Sequence, residues 1–296
     1  MFNNILPDRG KASSFLISPR EIPYSAAHPD PEARYDIRMT VSFRTRLSSG
    51  DLLLGSFLKT PVPHLVEIAA LASLDFVLLD AEHAPFTVRD LDVAMLAGRA
   101  AQLDVLVRIP FAAPAWIQQA LDLGASGIVV PHVSSASAAA SVVHAARFQN
   151  GSRGYSNSPR AGGYGTANMA THIARSDEAA AVIVQIEDAT GVDAVEDIAA
   201  VPGLDALFIG RADLAVAYQT GDPAAPAVAS AARRIIEAAR ANHIAVASFY
   251  ADARAYDASG ADKASMLVLG SDQSVLKSAW AAAVASVRAH DRPEPD

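Results

Sequence analysis

Phe76-Val77-Leu78-Leu79-Asp80-Ala81-Glu82-His83-Ala84-Pro85 is an apolar run that stops abruptly in two carboxylates and an imidazole. A continuous Phe/Val/Leu run without polar alternation suits a parallel strand covered on both faces. Polar groups massed at the C-terminal end of such a strand are where an α/β barrel keeps its active site. Three more runs end the same way: Val105-Leu106-Val107-Arg108, Val182-Ile183-Val184-Gln185-Ile186-Glu187, and Ala206-Leu207-Phe208-Ile209-Gly210-Arg211-Ala212-Asp213.

Working outward from these runs, the pattern predicts strands over Leu52 to Leu58, Phe76 to Glu82, Val105 to Ile109, Ile128 to Pro131, Val182 to Ile186, Ala206 to Ile209, Ile244 to Phe249 and Met266 to Leu269. Helical segments near 61–71, 88–101, 115–123, 135–147, 169–180, 191–200, 227–241 and 274–287 alternate with them. Thr87 is placed to cap the helix that starts at Val88, and Gly124 to stop the one that ends at Leu123. Eight strand–helix pairs predict a single-domain (β/α)8 TIM barrel over residues 45–296. The rival, a doubly wound open sheet, wants a glycine-rich phosphate turn after its first strand, and Gly55-Ser56-Phe57-Leu58 offers one glycine. Residues 1–44 are polar, carry Pro7, Pro19, Pro23, Pro29 and Pro31, and lack any period, so they read as an irregular or disordered arm. A start at Met39 is an alternative account of that arm.

Composition narrows the functional classes. With 296 residues, 51% hydrophobic and 19% charged, the chain can bury a large core. A net charge of -8 argues against nonspecific binding to nucleic acid or anionic membrane, which need a basic surface. The chain has no cysteine, which excludes disulfides, thiolate metal sites and a cysteine nucleophile and is compatible with a cytoplasmic setting. No apolar run approaches the roughly 18 residues that cross a bilayer, and the N-terminus lacks the order of a signal peptide.

The strand ends hold the candidate chemistry. Glu187 and Asp213 end neighbouring strands and suit Mg²⁺ or Mn²⁺, unless each is an idle solvated acid. His83 can act as a general base if the chain turns at Ala81 or Glu82 so that the Asp80 carboxylate orients it. Arg108 interrupts an apolar run, where a guanidinium needs an anion: a developing enolate, a substrate carboxylate, or one of the acids in a structural pair. His64, His132, His144, His172 and His243 read as surface or satisfied groups, with His132 the open case because it follows the fourth strand. The Gly/Ser-rich stretch from Arg153 to Gly165 reads as a lid or substrate loop. Only Lys59 of the four lysines lies near a strand end.

Leu79-Asp80-Ala81-Glu82-His83-Ala84-Pro85, Val107-Arg108-Ile109-Pro110, Val184-Gln185-Ile186-Glu187 and Phe208-Ile209-Gly210-Arg211-Ala212-Asp213-Leu214 together resemble the motif series of the HpcH/HpaI aldolase family. These are metal-dependent (class II) pyruvate aldolases of the 2-dehydro-3-deoxyglucarate and 4-hydroxy-2-oxoheptanedioate aldolase type. The likeness runs from about Asp51 to Val287. It implies Glu187 and Asp213 as ligands of Mg²⁺, Mn²⁺ or Co²⁺, Arg108 as the residue that stabilises a pyruvate enolate, and His83 with Asp80 as the proton-handling pair. It further implies Gln185 beside the metal, the amides around Ala212 and Asp213 on the pyruvate carboxylate, Asp122 presented across a subunit interface, and a homo-oligomer, commonly a hexamer.

The implied reaction is cleavage of a 4-hydroxy-2-oxo acid to pyruvate and an aldehyde through a metal-stabilised enolate, with no Schiff base. An oxaloacetate-type decarboxylase and a citrate-lyase-like thioester lyase are the enzymatic alternatives, and a noncatalytic oxo-acid-binding protein is the alternative from another class. The family often has Gly at the position of Ala81 and Pro at that of Arg211. Arg211 could point into the site toward a second acidic group or pair with an acid on the rim, and Arg153 and Arg160 could likewise meet an acidic substrate.

Overall fold

Eight parallel strands close into a barrel in sequence order: β1 (Leu53–Leu58), β2 (Phe76–Asp80), β3 (Asp104–Arg108), β4 (Gly127–Val130), β5 (Ala181–Ile186), β6 (Ala206–Ile209), β7 (Ala245–Tyr250) and β8 (Met266–Ser271). This computed structural model describes residues 41–258 and 264–290. Around the strands run α2 (His64–Leu71), α3 (Val88–Ala101), α4 (Pro114–Asp122), α5 (Ala136–Ala146), α6 (Met169–Ala179), α7 (Ala189–Asp193), α8 (Val195–Ala199), α9 (Arg211–Ala217), α10 (Pro226–Ala241), α11 (Ala253–Ala258) and α12 (Asp272–His290), with α1 (Phe43–Ser48) ahead of β1. The (β/α)8 barrel is therefore the observed architecture. Among the described residues no helix is long and apolar enough to cross a membrane.

The continuous apolar strands follow from double coverage. Leu53, Phe57, Phe76, Leu78, Leu106, Val129, Ile183 and Phe208 pack with one another inside the barrel. Their neighbours Val77, Leu79, Val105, Val107, Ile128, Val182 and Val184 belong to a second cluster shared with the helices. Both faces of each strand are apolar, so period-two alternation disappears. Continuing the inward parity past the apolar layers brings Lys59, Asp80, Arg108, Gln185, Glu187 and Gly210 to the mouth.

Local chemistry sets the boundaries. Thr87 caps α3 in a reciprocal box with Asp90, and Gly124, at φ +97°, ends α4. β2 stops at Asp80 instead of reaching Glu82, because the Asp80 carboxylate accepts the His83 backbone N–H at 3.1 Å and draws the chain into a turn. The helix expected over 191–200 is two short helices that meet at Ala194. α9 was not anticipated, since seven residues are too short to display a helical period.

α1 begins inside the segment assigned to the arm, whose residues 1–40 lie outside the described residues. Phe43 is 1% exposed and meets Phe76 edge-on, with centroids 5.5 Å apart. Arg46 ties the helix to Asp104 at 2.6 Å and to Asp75 at 3.5 Å. α1 therefore joins the interior cluster at the N-terminal end of the strands. Phe43→Ala is expected to lower the unfolding free energy in urea by about 3 kcal/mol. A loss well under about 1 kcal/mol would show that α1 lies outside the cooperative core.

Candidate active site

Asp80, the last residue of β2, is fully buried. Arg108, beside it in register on β3, donates Nε to Oδ1 at 3.0 Å and Nη2 to Oδ2 at 2.8 Å. Lys59, just past β1, brings Nζ to Oδ2 at 2.8 Å. Burial alone would raise the Asp80 pKa, but Arg108, Lys59 and the His83 N–H together hold it at about 2. Phe57 forms an aromatic floor, with the Arg108 guanidinium 4.7 Å and the Lys59 ammonium 5.7 Å from its centroid. Phe208 and Phe249 flank that ring at 6.3 and 6.0 Å.

The turn after Asp80 carries Glu82 and His83. Glu82 Oε2 lies 3.3 Å from Arg108 Nε and 3.8 Å from His83 Nε2, while its Oε1 lies 3.3 Å from His132 Nε2. The His83 ring thus faces Glu82, and Asp80 reaches His83 through its backbone amide. The pairing anticipated between imidazole and Asp80 is replaced by one with Glu82, because both Asp80 oxygens already serve Arg108, Lys59 and the turn.

Glu187, on the loop after β5, is 4% exposed. Its Oε1 accepts the His132 N–H at 2.6 Å and lies 2.9 Å from His132 Nδ1, while Gln185 Nε2 donates to its Oε2. His132 therefore spans Glu187 and Glu82, with its own backbone at φ +57°. His132 is thus both surface-exposed, at 65%, and partnered, and it is the histidine that its position after the fourth strand left open. Burial foremost, with the like charge of Asp213, pushes the Glu187 carboxyl above its ordinary range against the pull of His132 and Gln185. Gly210 gives this carboxylate room: a Cβ there would come within 2.5 Å of Glu187 Cβ.

Asp213 sits half-buried in the first turn of α9 and not at a strand end. The donor set fits a hard divalent cation. Two mutually repelling carboxylates supply negative oxygens, and Gln185 Oε1 is buried beside them without a hydrogen-bond partner. Among the described residues no three His, Cys, Asp or Glu side chains gather as a metal cage. A cation held by Glu187 and Asp213 would leave coordination positions to water and substrate.

The remaining candidates separate. Asp122 ends α4 on the helical layer and binds Arg153 at 2.7 Å, away from the mouth within its own chain. Arg160 binds Asp92 on α3 at 2.7 Å. Both loop arginines are thus committed to outer helices, and the stretch expected as a lid is strapped against α3 and α4. Arg211 is half-buried beside Tyr250, and burial pushes its guanidinium pKa down. Ala212 is exposed in the first turn of α9.

The sequence profile described as HpcH/HpaI aldolase/citrate lyase matches residues 53–279. The chain is 37% identical over 177 residues to a hydroxypyruvate/pyruvate aldolase of Roseovarius nubinhibens, covering 60% of this chain and 68% of the relative. It is 35% identical over 242 residues to a 5-keto-4-deoxy-D-glucarate aldolase of Klebsiella pneumoniae, covering 80% and 93%. Its fold is similar to an HpcH/HpaI aldolase/citrate lyase family protein from Burkholderia cenocepacia, with TM-score 0.79 and 33% identity over 83% of this chain and 98% of that one. It also resembles the citrate synthase SbnG, with TM-score 0.76 and 27% identity over 84% and 98%.

The depressed Asp80 pKa is a stability term. Its carboxylate contributes about 2 kcal/mol above the ordinary value of 3.8, and this contribution is lost as pH falls from there to about 2. Asp80→Asn is expected to lower stability at neutral pH by at least that amount and to flatten the acid limb of a stability–pH curve in this window. An unchanged acid limb would show that the pair contributes nothing net.

Proposed function

Because the chain belongs to the HpcH/HpaI aldolase/citrate lyase family, we infer that it is a carbon–carbon lyase of the aldolase type, cleaving a 4-hydroxy-2-oxo acid to pyruvate and an aldehyde or running the reverse addition. The observation that carries this reading is the division of the mouth: a carboxylate pair, Glu187 and Asp213, on the β5–β6 side, and the cations Arg108 and Lys59 on the β1–β3 side. Glu187 and Asp213 would hold a divalent cation such as Mg²⁺, Mn²⁺ or Co²⁺, which would supply Lewis-acid chemistry to a bound 2-oxo acid.

Arg108 supplies a fixed positive charge for the oxygen that becomes negative as the bond breaks, and its orientation is set in advance by the two-point contact with Asp80. The amides around Ala212 and Asp213, in the first turn of α9, would receive the substrate carboxylate. The His83 ring, 57% exposed and beside Glu82, accepts the proton of the 4-hydroxyl during cleavage and returns it during addition. Asp80 acts by fixing Arg108 and the turn that carries His83. Gln185 orients Glu187 by donating to it.

A carbon–carbon condensation is the second reading, favoured by the likeness to the citrate synthase SbnG. Homo-oligomerisation belongs to the proposal, with Asp122 near a neighbouring subunit's site. Its support here is the stripe of Leu276, Trp280, Val284 and Val287 on α12, exposed by 39%, 67%, 48% and 69%. A cytoplasmic setting agrees with the absence of cysteine.

Pyruvate release from a panel of 4-hydroxy-2-oxo acids and oxaloacetate, after chelation and restoration of each metal, tests the chemistry. Metal-dependent release is expected, together with a loss of about 10³-fold or more in Glu187→Gln. Release that survives both treatments would sink the metal assignment, and the preferred substrate would separate aldolase from decarboxylase. For assembly, Trp280→Glu is expected to reduce the mass measured by light scattering, and an unchanged mass would remove α12 from the interface.

A further inference from the structure

Lys59 sits at the mouth and reaches into the cluster of reacting residues, yet nothing in the reaction outlined above uses it. It directly follows β1, which lies across the closed barrel from β5, four strands away in either direction. A 2-oxo acid bound on the β5–β6 side therefore extends its other half toward β1–β3. That half is the one that leaves as aldehyde, or arrives as the acceptor.

The position is built, not incidental. Asp272, at the start of α12, is 7% exposed and accepts the backbone N–H groups of Lys59 and Thr60 at 2.8 and 3.0 Å, so the loop after β1 is pinned. The ammonium lies against the Phe57 ring and spends one of its three N–H donors on Asp80, with the side chain 28% exposed at the mouth. The arginines are placed elsewhere. Arg153 and Arg160 serve Asp122 and Asp92, Arg108 faces Asp80 and Glu82, and Arg211 lies half-buried beside Tyr250. Because the two carboxylates Asp80 and Glu82 together balance the two cations Lys59 and Arg108, Lys59 offers N–H donors without demanding a further anion, a combination suited to a neutral hydroxyl oxygen.

We propose that Lys59 is a specificity-determining residue that donates a hydrogen bond to a hydroxyl on the carbon next to the aldehyde carbonyl, so that the site selects hydroxylated acceptors over their hydrocarbon isosteres. The assignment rests on the aldolase reading above. Phe249, 39% exposed and tilted against Phe57 with centroids 6.0 Å apart, supplies the apolar wall against which that short chain lies.

The test runs the addition direction on the full chain with Mn²⁺ and pyruvate, comparing glycolaldehyde with propanal, which have the same number of heavy atoms. The readout is the ratio of kcat/KM for the two aldehydes in wild type, Lys59→Met and Lys59→Arg. Comparing variants cancels the different hydration of the two aldehydes, and a ratio within one variant cancels any general loss of folded or active protein. Wild type is expected to favour glycolaldehyde, Lys59→Met to lower the ratio by about tenfold or more, and Lys59→Arg, which keeps N–H donors, to retain most of it. If both aldehydes lose the same factor in Lys59→Met, Lys59 is only a partner of Asp80 and the proposal fails while the aldolase reading stands. A wild type that consumes no pyruvate with either aldehyde, or with any member of a wider aldehyde panel, overturns the aldolase reading and the Lys59 assignment together.

Discussion

A buried carboxylate with no exposed surface is tolerable only if its charge is met on every side, and Asp80 is met by Arg108 through two hydrogen bonds, by Lys59 and by the His83 amide. Desolvating such a group costs several kcal/mol, which these contacts must offset before anything is gained. They do so decisively enough to hold its pKa at about 2. The same contacts fix three details of the mouth at once: the direction of the guanidinium, the turn that delivers Glu82 and His83, and the reach of Lys59 across the Phe57 ring. One ion cluster thus links β1, β2 and β3 at the end where the chemistry lies.

The opposite side of the mouth is organised by strain of a different kind. Glu187 is buried next to Asp213, so its charged form is disfavoured, and it relies on His132 and Gln185 for support. Gly210 leaves the space that lets this carboxylate stand where it does. An active site often keeps groups in environments that cost stability because the missing partner is the ligand. The contrast between a satisfied Asp80 and a frustrated Glu187 divides the barrel mouth into two electrostatically different halves.

Much of this was legible in one dimension. The four strands ending in Asp80, Arg108, Glu187 and the Gly210–Asp213 segment are visible because double burial leaves unbroken apolar runs, and a charge that ends such a run stands out. Helix ends with local chemistry, such as Thr87 and Gly124, could also be read. α9 could not, because Gly210-Arg211-Ala212-Asp213 looks the same whether it ends a strand or starts a short helix. Nor could α1, where two buried apolar residues, Phe43 and Leu47, give too little pattern to stand out from the polar residues before them.

The sequence by itself determined the barrel and the identity of the groups at its mouth, since hydrophobic period and strand-terminal charge are properties of the chain. Which of those groups meet was decided by the closure of the sheet. Strand order and register bring Asp80 beside Arg108, Lys59 onto Asp80, and His132 between Glu82 and Glu187, although 21 to 55 residues separate the partners along the chain. The turn at Asp80 sent the His83 ring to Glu82, and the outer helices captured Arg153 and Arg160. Those pairings depend on distances of a few ångströms between distant segments, and the pattern of apolar and polar residues along the chain holds no record of them.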